Sequence, residues 1–301
     1  MFIKTEGIKK AYKNFFALKK LDLYIKRGDI FSLIGPNGAG KTTTLKILAT
    51  LQRPTTGTGS IFGLNIIKDR KEIRKKISLI SETVVLHENL TAYENLKFFG
   101  DLYDIEKKKL AKRINELLEL INMNEWKDKK IRIFSRGMKQ RINIAAGFLK
   151  DPEIVFLDEP TLGLDIQTTI VIRNFLKKKN EEGITMIISS HLLSEIEKIS
   201  NRIGIINNGV LLCSDELSKL VEEYKSEVGI TLNVVPINRK DFEKFLKDKK
   251  IDSEFEDGLF KLKLNNSSLL NTKEIMFKNN YISEIYETRP TLEDIYLWKT
   301  G

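Results

Sequence analysis

The sequence predicts an α/β protein in two parts: a parallel-sheet domain over residues 1–221 and a small α+β domain over 222–301. Three observations carry that prediction. Short runs with almost no polar residues, at 29–34, 154–157, 184–189 and 203–207, alternate with helical stretches, as strands covered on both faces do. A glycine-rich loop, 35–40, stands between the first of these strands and the helix behind it. The charge balance also changes along the chain. Residues 222–301 hold 13 basic and 15 acidic side chains, within a protein that carries 51 Lys and Arg against 41 Asp and Glu.

The elements follow in order. Short apolar runs and turns occupy the beginning, as over 17–25, and Asp29-Ile-Phe-Ser-Leu-Ile34 is the first buried strand. A helix runs from Lys41 to about Leu51. From about Thr91 to Leu120 the chain is polar and helical, with Leu110, Ile114, Leu117, Leu118 and Ile121 at the spacing of one helix face. Asp151-Pro152 precedes the strand at 154–157. A helix at 166–180, a strand at 184–189, a helix at 192–200 and a strand at 203–207 complete the first domain. In the tail, strands at 228–235, 258–264 and 282–287 alternate with helices at 239–250 and 267–279. Thr291-Leu-Glu-Asp294, just after Pro290, is the N-cap of a closing helix that reaches Trp298.

Composition excludes several classes. With 41% hydrophobic and 31% charged residues, the 301-residue chain is neither a disordered acidic tail nor a collagen-like or integral membrane protein. No apolar run approaches the ~18 residues that span a bilayer, and residues 1–13 lack the apolar stretch of a secretory signal. A single cysteine, Cys213, cannot close an intramolecular disulfide, so a cytosolic protein is expected, with Cys213 a small buried hydrophobe. His87 is expected in a solvated loop. The basic surplus of the first domain suits nucleotides, nucleic acids or anionic headgroups, and equally suits a solvated lysine face.

Gly35-Pro36-Asn37-Gly38-Ala39-Gly40-Lys41-Thr42 fits G-x-x-x-x-G-K-[ST] between a strand and a helix. Glycines there let backbone N–H groups turn inward onto phosphate oxygens, and the helix N-terminus adds positive potential. Lys41 would neutralise β- and γ-phosphates and the Thr42 hydroxyl would ligate Mg²⁺, with Thr43 next in the helix. Ile154-Val-Phe-Leu-Asp158-Glu159 is an apolar strand ending in two carboxylates. Asp158 at its tip can reach the metal shell, and Glu159, pointing elsewhere, is placed to polarise an attacking water. Ser135 can cap a helix that begins near Gly137, whose first-turn N–H groups then face an anion.

Together these residues resemble the ATP-binding subunits of ABC transporters over about residues 1–221. Phe134-Ser135-Arg136-Gly137-Met138 looks like the family signature, Leu162-Gly163-Leu164-Asp165 like its D-loop, and His191 like its switch histidine. Tyr12 stands where the family places an aromatic that stacks on adenine; Phe15 or Phe16 could serve instead. The pattern has two departures. Phe134 and Arg136 replace the commoner Leu and Gly, and Glu82 in Ile77-Ser-Leu-Ile-Ser-Glu82 stands where the family has its Q-loop glutamine. A carboxylate there can still ligate Mg²⁺ and adds negative charge near the phosphates.

The resemblance implies a P-loop NTPase fold with a helical subdomain, and ATP with Mg²⁺ as cofactors. Catalytic roles would fall to Lys41, Glu82, Glu159 and His191. Residues 35–43 and Tyr12 would hold the nucleotide, and Thr42, Glu82 and Asp158 the metal. Ser135, Gly137 and Asp165 would close on a nucleotide held by a second ATP-binding subunit. The implied protein dimerises on ATP, drives a separate membrane permease from the cytoplasmic face, and takes no nucleic acid partner. Residues 222–301 resemble the C-terminal extension of exporter-type ATPases. The competing class, a non-transport ABC ATPase on ribosomes or DNA, usually has two cassettes or a long inserted coiled coil. Here one phosphate loop is present, and Asp158 follows Lys41 by 117 residues without sustained heptads.

Overall fold

Strands Arg202–Asn207, Ile30–Ile34, Thr185–Ser190, Ile154–Asp158 and Ile77–Ile80 lie side by side in that order, each parallel to its neighbours. Every residue of the middle three is buried, which is why they read as unbroken apolar runs. The computed structural model describes residues 2–264 and 266–301 and divides into two units, Met1–Ser214 and Asp215–Gly301.

An antiparallel flank completes the first unit's sheet. Strands Phe15–Leu21, Ile3–Tyr12, Thr56–Ile61 and Leu64–Asn65 follow one another, and Val210–Glu216 joins Phe15–Leu21 to the parallel part. The sequence did not announce Ile3–Tyr12, because Lys4, Glu6, Lys9 and Lys10 interrupt it. Irregular register between Ile8 and Ala11 also breaks the two-residue alternation. Cys213, on Val210–Glu216, is half-buried rather than buried.

The helical stretch expected from 91 to 120 is two helices, Ala92–Leu102 and Lys107–Leu120. Asp104, in the left-handed region at φ 54°, turns the chain between them. Gly100 makes the tight return possible: a Cβ there would lie 2.2 Å from Leu110 Cδ1. Thr91 and Glu94 form a capping box at the first helix, and Leu110, Ile114, Leu117 and Leu118 of the second are buried on one face, as their spacing required. Helix Arg136–Gly147 packs against both. Two other helices are shorter than expected: Lys41–Leu48 ends before Thr50, which has φ 59°, and only Leu193–Ile196 is helical within 192–200.

The second unit is a split β-α-β-β-α-β arrangement. Ile230–Pro236 pairs antiparallel with Leu259–Leu264 and Ile282–Thr288, and Ser253–Glu256 adds an outer strand. Phe242, Phe245 and Leu246 of helix Arg239–Asp248 join Leu232, Val234, Leu262 and Met276 in its core. Helix Leu217–Glu227 also belongs here, so the boundary expected near 222 falls within it. Tyr224 meets Trp298 edge to face at 5.6 Å, and Lys299 pairs with Glu223 at 2.7 Å. Among the described residues no helix is long and apolar enough to cross a membrane.

The two tryptophans report on different units, Trp126 on the first and Trp298 on the second. Phe242→Ala is expected to destabilise the second unit by about 3–5 kcal/mol. In denaturant, the Trp298 signal of a Trp126→Phe background should shift, while the Trp126 signal of a Trp298→Phe background holds. Equal shifts of both signals would show one cooperative block.

Candidate active site

Parallel pairing sends the carboxyl ends of these strands to one edge of the sheet, where α/β proteins hold their ligands. Register places Ile34 beside Ser190 and Asp158 beside Ser189, so the residues that follow each strand emerge together. The loop from Gly35 to Gly40 then feeds helix Lys41–Leu48, with Gly38 at φ 80° and Gly40, the N-cap, at φ 107°. Neither Gly35 nor Gly40 has room for a side chain: a Cβ would lie 2.1 Å from Ile206 O and 2.6 Å from Ala17 O respectively. Gly35 provides close backbone approach, and Gly40 provides that together with a positive φ.

Lys41 is buried, and its ammonium donates to the carbonyl oxygens of Gly35 at 2.7 Å and Pro36 at 3.2 Å. It also lies 3.6 Å from Glu159 Oε1. The Thr42 hydroxyl donates to Asp158 Oδ1 at 3.1 Å, and the Ser189 hydroxyl donates to the same oxygen. His191 Nδ1 stands 3.0 Å from Glu159 Oε1. Oε1 of Glu159 is therefore doubly engaged, whereas Oε2 is buried with no hydrogen-bond partner. A buried carboxylate oxygen without a partner is costly, and such groups mark functional sites. Glu159 also occupies the left-handed region at φ 47°, held there as its N–H donates to Ser189 O at 3.0 Å.

A cavity of about 620 Å³ opens over these groups, lined by Tyr12, Phe15, the phosphate loop, Glu82, Glu159 and His191. Of the loop, Pro36, Asn37, Gly38, Gly40, Lys41, Thr42 and Thr43 line it; Gly35 and Ala39 lie behind, Ala39 O accepting from Gly209 N–H. Tyr12 and Phe15 pair at the tip of the first hairpin, 44% and 62% exposed, so neither is a core aromatic. Phe16 is equally exposed but does not line the cavity. Glu82 enters from the loop after Ile77–Ile80. Sequence reasoning missed Ser189, whose hydroxyl donates to the Asp158 carboxylate and whose carbonyl oxygen accepts from the Glu159 N–H. Its only signal was its place at the end of a buried strand beside 154–158.

Asp158 meets Thr42 without lining the cavity, and Ser135, Gly137 and Asp165 also stand outside it. Ser135 caps helix Arg136–Gly147, accepting from Met138 N–H at 3.2 Å. Gly137 is buried against Thr168, whose Oγ1 would be 2.8 Å from a Cβ on the glycine. Asp165 caps helix Ile166–Glu181 and accepts from both the N–H and the hydroxyl of Thr168, each at 2.8 Å. Those bonds hold its carboxyl below the usual carboxylate range. His87 is exposed, with its ring edge-on to Phe98.

Among the described residues no three His, Cys, Asp or Glu side chains converge as a metal site. One hydroxyl and one carboxylate on a phosphate-binding loop nevertheless fit a hard cation that takes its remaining ligands from phosphate and water. The glycine cradle, the buried ammonium and the helix N-terminus fit the phosphates themselves.

A model of the family described as "ABC transporter" matches residues 18–162. The linearmycin resistance ATP-binding protein LnrL of Bacillus subtilis is 37% identical over 236 residues, 78% of this chain and 76% of that protein. The bacitracin transport ATP-binding protein BcrA of Bacillus licheniformis is 42% identical over 211 residues, 70% of this chain and 68% of that one. Among solved structures, a dimeric ATP-binding cassette in a post-hydrolysis state with ADP and Pi superposes with a TM-score of 0.65 at 29% identity. It covers 71% of this chain and 98% of its own.

Gly40→Ala is expected to leave a folded protein that binds ATP at least tenfold more weakly, a loss of about 1.4 kcal/mol or more. Calorimetric titration with circular dichroism checks this. An intact fold with unchanged affinity would remove the close-approach argument.

Proposed function

The chain belongs to the ABC transporter family, and we propose from that membership how its residues divide the work. The protein is an ATPase that powers export through a separate membrane permease. The observation that carries the division of roles is the convergence of Lys41, Thr42, Asp158, Glu159 and His191 on one sheet edge.

Lys41, now spending its ammonium on two loop carbonyls, turns to the β- and γ-phosphates when ATP enters. Thr42 and Asp158, with Glu82 from the loop after Ile77–Ile80, would hold Mg²⁺, which would supply positive charge to offset that of the phosphates. Glu159 is the general base. His191 and Lys41 fix its Oε1, and the partnerless Oε2 is the atom left to accept a proton from the attacking water. His191 holds that carboxylate and reaches the γ-phosphate. Tyr12 or Phe15 stacks on adenine.

Ser135, Gly137 and Asp165 lie outside the cavity of their own chain, which fits a role on the nucleotide of a second subunit in a head-to-tail dimer. That a solved cassette similar to this chain is dimeric with ADP and Pi supports the pairing of two subunits. ATP binding and hydrolysis fall to the first domain, and residues 222–301 serve as an accessory domain that braces or regulates it. We place the protein peripherally on the inner face of the membrane, against its permease. The cargo class is an antibiotic or drug, because the similar proteins are named for linearmycin resistance and bacitracin transport.

Lys41→Ala is expected to cut ATP turnover by at least about a hundredfold, as loss of a single phosphate-stabilising group does. Glu159→Gln should bind ATP, stall hydrolysis and run as a dimer on size exclusion with ATP. A strictly monomeric profile at high protein concentration would break the dimer reading. For Glu82, the ATPase rate should persist to lower free Mg²⁺ than in Glu82→Gln, because a carboxylate is the better ligand for a hard cation and its repulsion from phosphate disfavours the metal-free state. Superimposed curves would return Glu82 to the status of an ordinary loop residue.

A further inference from the structure

Helix Arg136–Gly147 carries three cations, and two of them are used within the chain. Lys139 pairs with Glu88 at 2.8 Å. Arg141 donates to the carbonyl oxygens of Ile121 and Asn122 at 3.2 and 3.3 Å, and burial lowers its pKa. Arg136 is different. It is exposed, it is in the first helical turn beside Ser135, and no hydrogen bond or ion pair engages it among the described residues. That turn contains no acidic residue. The guanidinium rests beside Gly163: a Cβ on that glycine, itself at φ 67°, would lie 2.8 Å from Arg136 Nη1 and 3.1 Å from Cζ. Asp165, two residues on, is engaged instead by Thr168.

The nucleotide cavity has the opposite imbalance. Glu82 and Glu159 line it, Asp158 stands behind Thr42, and the ammonium facing them is Lys41, already 3.6 Å from Glu159. A nucleoside triphosphate brings several further negative charges. Closing a second surface over that cavity excludes water and strengthens every uncompensated repulsion.

We propose that Arg136 reaches across to a second copy of this chain and supplies positive charge to that copy's nucleotide cavity, against the γ-phosphate and Glu82. The proposal rests on the head-to-tail dimer. Guanidinium suits that role because its fork donates to two phosphate oxygens at once, it cannot lose its proton, and it is desolvated more readily than an ammonium. Arg136 and Glu82 are two of the positions where this chain departs from the common family pattern. Their charges are opposite, so one offsets the other across the dimer.

The test uses the full-length chain carrying Glu159→Gln, which holds ATP unhydrolysed, and reads dimer formation by analytical ultracentrifugation over a series of ATP and protein concentrations. Arg136→Gly is expected to weaken the ATP-dependent dimer about tenfold or more at low salt, with Arg136→Lys recovering part of the loss, as for a charge-assisted phosphate contact. Adding Glu82→Gln to Arg136→Gly should restore dimerisation by more than the effect of Glu82→Gln alone, the non-additivity expected of facing groups. Binding of a fluorescent ATP analogue at protein concentrations too low to dimerise separates a role within the chain. If Arg136→Gly weakens that binding as much as it weakens the dimer, the guanidinium acts through its own Gly163 loop and the proposal is overturned. An unchanged dimer in Arg136→Gly overturns it too, as does strict additivity with Glu82→Gln. If the Glu159→Gln parent never dimerises, the head-to-tail reading fails first and the role of Arg136 falls with it.

Discussion

Parallel pairing of Ile30–Ile34, Thr185–Ser190 and Ile154–Asp158 is the constraint from which the site follows. Parallel strands end on the same edge, so whatever the chain places after each strand meets there. The phosphate loop follows the first strand, His191 the second, and Glu159 the third. The hydrogen bonds of Thr42 and Ser189 to a single oxygen of Asp158 tie the helix after the loop and two strand ends to one point. Shifting any of these strands by one residue would turn its terminal side chains to the other face.

That edge holds local strain, and its surroundings keep the strain in place. Glu159 takes a backbone conformation that favours glycine, and its amide is anchored on Ser189. Gly40 at φ 107° and Gly35 against Ile206 bring the loop's backbone within contact distance of neighbouring backbone. The result is a loop whose backbone follows a fixed path along the cavity, while the Lys41 ammonium rests on the carbonyls of Gly35 and Pro36. A backbone already fixed in folding loses little on binding, so the reorganisation left is that of one lysine side chain.

Charge sets the other limit on the site. Three carboxylates, Glu82, Asp158 and Glu159, surround a pocket shaped for phosphate, and Lys41 is the ammonium among them. A polyanion entering such a pocket needs added positive charge, the part that the proposed function gives to a metal ion and a second subunit. The signature helix has the complementary character. Its first turn carries no acid, its N-cap is satisfied by Ser135, and its buried Gly137 packs on Thr168 rather than in its own chain's cavity.

The sequence by itself determined four of the five parallel strands, all but the short Ile77–Ile80, and the phosphate loop. Strands buried on both faces tolerate almost no polar residue, and a loop cradling phosphate needs glycine, lysine and threonine at set intervals, so both leave a local pattern. Leu110, Ile114, Leu117 and Leu118 were legible for the same reason, as one face of one helix. The second unit's three main strands also showed as alternation, while Ser253–Glu256, with two glutamates in four residues, did not. What the tertiary structure alone decided were relations between distant segments. The break at Asp104 depends on Leu110 returning to Gly100, and Ile3–Tyr12 is a strand because two neighbours pair with it despite its lysines. The bracing of Asp158 and Glu159 by Ser189, and the placement of Tyr12 and Phe15 but not Phe16 over the cavity, depend on strand register and hairpin twist. Local pattern records what each segment must bury. Which residues of two segments then meet is set by register, and register is settled only when the segments pack.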